Sequence, residues 1–367
     1  MKIPLVDLQS QYQKIGPELK EKILQIMERG DFVLGEDLKL FEKEFADYCQ
    51  ANYAIGVGSG TEALHLSLLA LGIKEGDEVI TSANTFAATV AAVYWTGAKP
   101  VLVDISPQNY NINLSLLEKA ITSKTKAIIP VHLYGQPVDM DKLKEICKVH
   151  NLLIIEDACQ AHGAKYKNHR VGSLGDIAAF SFYPGKNLGA AGEGGIITTN
   201  NKDWADKIIM LRNHGQKQKY LHEIKGFNSR LDNLQAVILR VKLKHLDEWN
   251  ELRNKWAALY TKLLNETSLT TPKAEDWVYH VFHIYGALCK KRDALINYLK
   301  EKEIGAGIHY PIPIHLLDAF QDLGYKEGDF PITEKFAKEI ISLPIFPELN
   351  EEKINYVVNA IKEFEKR

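Results

Sequence analysis

Leu152-Leu153-Ile154-Ile155-Glu156-Asp157-Ala158-Cys159-Gln160 is the stretch on which the fold turns. A short apolar run ends in two adjacent carboxylates. Near-continuous apolar runs of this length suit strands covered on both faces, as in parallel sheets flanked by helices. The same texture recurs on either side, at Tyr53–Val57, Glu78–Thr81, Lys99–Asp104, Ala127–Val131, Ile177–Phe182 and Gly195–Thr199. Amphipathic stretches such as Leu114–Ile121 and Met140–His150 lie between them. The alternation predicts an α/β fold with a large, mostly parallel, seven-stranded sheet. Ligands of such sheets sit beyond the carboxyl ends of the strands, so residues there are weighed first.

A long helical stretch, roughly Leu231–Leu264, follows the last strand. Beyond Pro272 the texture changes. A strand at Val281–Leu288, a helix at Arg292–Lys302, a short strand at Ala306–Tyr310, a Pro-rich segment and a last helix at Glu351–Glu365 are expected. Residues 1–244 therefore read as a large domain with an N-terminal helical segment, and 245–367 as a small C-terminal α+β domain.

Composition narrows the function. Of 367 residues, 46% are hydrophobic and 25% charged, which excludes disordered and collagen-like chains. Lys and Arg number 45 against 47 Asp and Glu, so no basic excess points to a nucleic acid. The four cysteines have no zinc-finger or C-x-x-C spacing, and the twelve histidines no H-E-x-x-H, so no metal is expected. The N-terminus lacks a charged and then apolar leader, and no apolar window is long enough to span a bilayer. A cytoplasmic protein without a membrane partner is expected.

Three motifs carry chemistry. Gly56-Val57-Gly58-Ser59-Gly60-Thr61-Glu62 follows a strand and opens a helix. Small residues there let an anion approach uncommitted N–H groups, and Thr61 adds a hydroxyl. The plainer alternative is a turn with Ser59 as N-cap. It is neither a P-loop nor G-x-G-x-x-G. In the second, Glu156-Asp157, a strand-end carboxylate needs a partner because burying it alone is costly. A protonated pyridine nitrogen is one; capping the next turn is another. In the third, Phe180-Ser181-Phe182-Tyr183-Pro184-Gly185-Lys186-Asn187 leads into a loop with five glycines through Gly195. A lysine there can be desolvated and its amine made nucleophilic. A phosphate cradle, a carboxylate for a ring nitrogen and a lysine for an aldehyde together match pyridoxal 5′-phosphate.

With these motifs the sequence resembles the DegT/DnrJ/EryC1/StrS sugar-nucleotide aminotransferases, within the aspartate-aminotransferase (type I) fold. The likeness runs from Ile3-Pro4-Leu5-Val6-Asp7 through the three motifs to Arg212-Asn213-His214-Gly215, Asn228-Ser229-Arg230-Leu231-Asp232 and Tyr310-Pro311-Ile312-Pro313-Ile314-His315. It implies Lys186 as the Schiff-base lysine, with pyridoxamine 5′-phosphate as the intermediate cofactor form. It implies Asp157 on the pyridine nitrogen, Gln160 on the 3-hydroxyl and Phe86 stacked on the ring. Gly60, Thr61 and Ser181 would bind the phosphate. Asn228 would reach it from a neighbouring subunit, so a homodimer with shared sites is implied.

Members acting at C4 often carry His three residues before the lysine; here Tyr183 stands there. That form resembles members that aminate C3 of a dTDP-linked 3-keto-6-deoxyhexose, with L-glutamate as amino donor. Tyr183 would donate a hydrogen bond or relay a proton, or simply pack. The arginines are only eight, and beyond residue 260 only Arg292 and Arg367 occur, neither well placed for an α-carboxylate. His309, Tyr310 and His315 suit hydroxyls and a diphosphate, and Arg230 is the candidate for glutamate. A C4, UDP-sugar or cyclitol aminotransferase remains an alternative, as does a non-catalytic sugar-nucleotide-binding protein. A dehydratase of this family would replace the lysine, which is present.

Overall fold

The computed structural model describes Met1–Arg367. Its central sheet is built from β1 (Tyr53–Val57), β2 (Glu78–Ser82), β3 (Lys99–Val103), β4 (Thr125–Ile129), β5 (Leu153–Asp157), β6 (Ile177–Ser181) and β7 (Gly195–Thr199). The spatial order is β1-β7-β6-β5-β4-β2-β3. Pairs from β6 to β3 are parallel, while β7 runs antiparallel to both its neighbours. Pro100 lies in β3, an edge strand, where a missing N–H costs no ladder bond.

Helices cover both faces. α1 (Leu8–Arg29) and α2 (Glu36–Cys49) precede the sheet; α3 (Gly60–Ala70), α4 (Ala87–Tyr94), α5 (Met140–His150) and α6 (Lys202–Leu211) are interleaved with it. Strand alternation divides the core. Ile154 and Phe180 join one apolar cluster, Ile155 and Ala179 the one on the opposite face.

The stretch read as one helix at 231–264 is two: α7 (Asn233–Leu243) and α8 (Leu246–Leu264). The break sends Val237 and Val241 against Ile15 and Leu19 of α1, and Trp256 and Tyr260 into a second core. No Gly or Pro marks it. The boundary expected between 244 and 245 falls inside this break.

The second core joins Trp256, Tyr285, Leu299 and Val357 with Ile3, which bridges Ile304. It includes β8 (Tyr285–Leu288) paired antiparallel with β9 (Ile340–Leu343), and is flanked by α9 (Arg292–Glu301) and α11 (Glu351–Glu365), while α10 (Pro331–Glu339) packs Phe336 in a separate cluster with Tyr134. The strand expected from Val281 begins only at Tyr285. The N–H groups of Val281 and His283 are taken instead by the carbonyls of Gly135 and Tyr134. The strand expected at 306–310 is reduced to one bridge between Gly307 and Ser342. No helix is long and apolar enough to cross a membrane.

Candidate active site

The carboxyl ends of β1, β2, β4, β5 and β6 open into one cavity of about 580 Å³. It is lined by Gly60, Thr61, Phe86, Asp157, Gln160, Ser181, Tyr183, Lys186, His309 and Tyr310, all named from the sequence. Its wall also holds Leu5, Val6, Thr85, Thr89, Cys159, Glu193 and His283.

At the end of β1, Ser59 caps α3: its Oγ accepts from Glu62 N–H at 3.2 Å and its carbonyl from Ala63 N–H. The N–H groups of Gly60 and Thr61, one residue further out, have no acceptor. The capping reading of this turn holds, and the cap leaves these two N–H groups free for an anion. A Cβ on Gly60 would lie 2.5 Å from Cβ of Ser181, so only glycine lets the helix start stand this close to β6. Arg212 steadies the turn by donating to Gly56 O at 2.8 Å.

The two carboxylates of β5 point to opposite faces, as strand geometry requires. Glu156 turns away from the cavity. It accepts from the N–H groups of Gly172, Leu174 and Gly175 and pairs with His132 Nε2 at 3.1 Å. Asp157 faces the cavity. Its Oδ1 accepts from Cys159 N–H at 3.2 Å and its Oδ2 from Thr89 Oγ1 at 2.7 Å. Thr89 in turn meets Thr85 Oγ1 at 2.7 Å. Both threonines belong to the Asn84-Thr85-Phe86-Ala87-Ala88-Thr89 motif that carries Phe86, but the sequence assigned them no role.

Gln160 is fixed by its surroundings. Oε1 accepts from Tyr134 N–H at 2.8 Å, so Nε2 is the end that donates, to Tyr310 Oη at 3.0 Å and onward to the cavity. The Phe86 ring is half exposed and lies 5.5 Å from the Tyr310 ring. Tyr183 stands exposed at the cavity mouth.

The Lys186 amine has no hydrogen bond or ion pair, while its backbone N–H is donated to Tyr183 O at 2.9 Å. Burial lowers its pKa, opposed by the weaker pull of Cys159 and Asp157. It is the only Lys or Arg in the wall. Burial, with Lys186 as second cause, also lowers His309 to about 4 and His162 to about 3, and drives His283 well below the imidazole range. These rings are neutral. His162 packs against Phe180 and Phe182 with neither ring nitrogen bonded. Burial, then Asp157, holds the Cys159 thiol well above its usual value, so it is not a nucleophile.

Three expected residues lie elsewhere. His315 is buried away from the cavity, with Nε2 3.0 Å from Glu334 Oε1, and its expected substrate contact is corrected to a structural pair. Arg230 is outside the wall and donates to Asn213 Oδ1 at 3.1 Å. Asn228 is exposed and bridged to Asn213, again outside this chain's cavity.

The arrangement fits pyridoxal 5′-phosphate. It offers uncommitted N–H groups for a phosphate, a buried carboxylate for a ring nitrogen and an unpaired, desolvated amine for an aldehyde. Residues 13–362 match the DegT/DnrJ/EryC1/StrS aminotransferase family. This chain belongs to that family.

The aminotransferase is 50% identical to a pleiotropic regulatory protein of Geobacillus stearothermophilus over 99% of both chains. It is 43% identical to dTDP-3-amino-3,4,6-trideoxy-alpha-D-glucose transaminase of Streptomyces venezuelae, covering 100% of this chain and 97% of that one. It is 42% identical to a UDP-N-acetyl-3-dehydro-alpha-D-glucosamine 3-aminotransferase of Acidithiobacillus ferrooxidans, covering 98% and 97%. Among solved structures it matches S. venezuelae DesV, in complex with a ketimine intermediate, at a TM-score of 0.97 and 43% identity over 100% and 99%. It also matches Bacillus subtilis NtdA with bound cofactor PMP, at 0.92 and 33% over 100% and 86%. The chain is thus a pyridoxal-phosphate-dependent sugar aminotransferase.

Proposed function

We propose that the enzyme moves an amino group from L-glutamate to the C3 keto group of a dTDP-linked 3-keto-6-deoxyhexose. The product would be a dTDP-3-amino-3,6-dideoxyhexose. The observation that carries this is the makeup of the cavity wall. Lys186 is the only cation this chain sets in its own wall, so an arginine for the glutamate carboxylate has to come from a second copy. A wall of neutral imidazoles, phenols and apolar side chains suits a deoxysugar. Tyr183, rather than His, stands at the mouth. The S. venezuelae and A. ferrooxidans relatives both carry position 3 in their names, which supports C3 over C4.

When bound, pyridoxal phosphate supplies an electron sink that lets a proton leave the carbon bearing nitrogen. Gly60, Thr61 and Ser181 would hold its phosphate. Asp157, braced by Thr89, would keep a proton on the ring nitrogen. Gln160 would donate to the ring oxygen and Phe86 would pack on the ring face. Lys186 Nζ would move a proton to and from the substrate carbon that bears the amino group. A placed base of this kind is worth about 10²–10⁴-fold. Tyr183, His309 and Tyr310 contact the sugar.

Asn228 and Arg230 lie outside their own chain's cavity, on one segment. We place them in the site of a second copy, Asn228 on phosphate and Arg230 on the glutamate carboxylate, in a cytoplasmic homodimer. The test is a panel of dTDP- and UDP-linked 3-keto and 4-keto sugars with glutamate, read by product mass. Turnover confined to 4-keto or UDP-linked sugars overturns the assignment. A regulatory reading is favoured by the name of the Geobacillus relative. It predicts no change in cofactor absorbance on adding glutamate, whereas the catalytic reading predicts a shift.

A further inference from the structure

Asn187, next to the reactive lysine, is buried and fully bonded. Its Nδ2 donates to Val281 O and to Asn250 Oδ1, both at 2.9 Å. Val281 O can only accept, which fixes the amide's orientation. Asn250 is fixed likewise, because its own Nδ2 donates to His162 O at 2.9 Å. Asn187 Oδ1 is therefore an acceptor, and it meets His283 Nδ1 at 3.2 Å. The proton of this imidazole must sit on Nδ1. Nε2 is left with a lone pair and no partner, on a ring that lines the same cavity as Lys186.

We propose that His283 is a further substrate-contact residue, whose Nε2 accepts a hydrogen bond from the amino group in transit beside Lys186. An ammonium or amine carries N–H groups in both halves of the exchange. A carboxylate or phosphate oxygen has none to give, so this wall position favours the amino end of a ligand over its anionic end. The groups around the ring are Lys186, Arg253, His162 and His309, all cationic or neutral. They keep it an acceptor rather than a base. Asn187 and Asn250 are positioning residues. They tie the lysine loop, α8 and the Val281–His283 segment into one bonded unit.

The proposal rests on the aminotransferase reading, and its test needs only the glutamate half-reaction. Neutron diffraction of the perdeuterated protein reads the tautomer directly. Deuterium on Nδ1 and none on Nε2 is expected; deuterium on Nε2 overturns the proposal. His283→Asn keeps a donor near Nδ1 but has nothing at Nε2. Single-turnover reaction with glutamate is expected to slow about tenfold or more in it. His283→Gln, which reaches the Nε2 position, should recover part of the rate. Wild-type rates in both variants overturn the assignment. A normal glutamate half-reaction with no turnover of dTDP-sugars would instead count against the substrate proposed above.

Discussion

Thr89 Oγ1 donates to Asp157 Oδ2 at 2.7 Å, so the carboxylate at the end of β5 is braced by the first turn of α4. Hydrogen bonds to charged groups contribute about 1.5–3 kcal/mol. Thr89→Val should weaken pyridoxal phosphate binding by about tenfold or more, measured by titrating cofactor absorbance. Unchanged affinity would mean that Asp157 needs no brace.

Lys186 is desolvated and unpaired, and its pKa lies below the ordinary lysine value. Above that lowered value the unfolded chain binds more protons than the folded one, so stability rises with pH until the ordinary lysine value is passed. Cofactor-free Lys186→Met should therefore be more stable than cofactor-free wild type. The gap in Tm should be widest below the lowered pKa and shrink as pH climbs toward 10.5. A gap that is constant with pH would contradict the desolvated amine.

Gly60 stands where a Cβ would meet Ser181 at 2.5 Å. Gly60→Ala should push the start of α3 away from β6 and cost phosphate affinity before it costs the fold. Inorganic phosphate and pyridoxal phosphate should both bind more weakly, with a drop in Tm of only a few degrees. Equal affinity for both ligands would exclude the cradle.

His315 and Glu334 form a buried pair outside the cavity. Leaving the other partner's buried polar atom unsatisfied costs about 1–3 kcal/mol. His315→Ala should lower Tm and leave KM for the sugar substrate at its wild-type value. A raised KM with unchanged Tm would return His315 to the substrate site.

All seven central strands were legible, because strands buried on both faces write themselves as apolar runs. Ile154-Ile155 and Phe180 needed no tertiary information. That Asp157 and Lys186 share one cavity was legible because strand ends of a parallel sheet converge on one edge. The direction of a side chain leaving an irregular segment was not. Nothing near His315 says that it turns toward Glu334, nineteen residues on. The break at Lys244-His245 was hidden because helix propensity continues across it, and only the two separate cores demand it. Thr89 and His283 were invisible for a third reason. Each acts through a partner far along the chain, Asp157 in one case and Asn187 in the other.

The most direct test of the account is reduction of the cofactor-loaded protein with borohydride, followed by peptide mass analysis. A pyridoxyl phosphate adduct on the peptide carrying Lys186, and on no other lysine, is the predicted result. An unlabelled Lys186, or a label on another lysine, would contradict it.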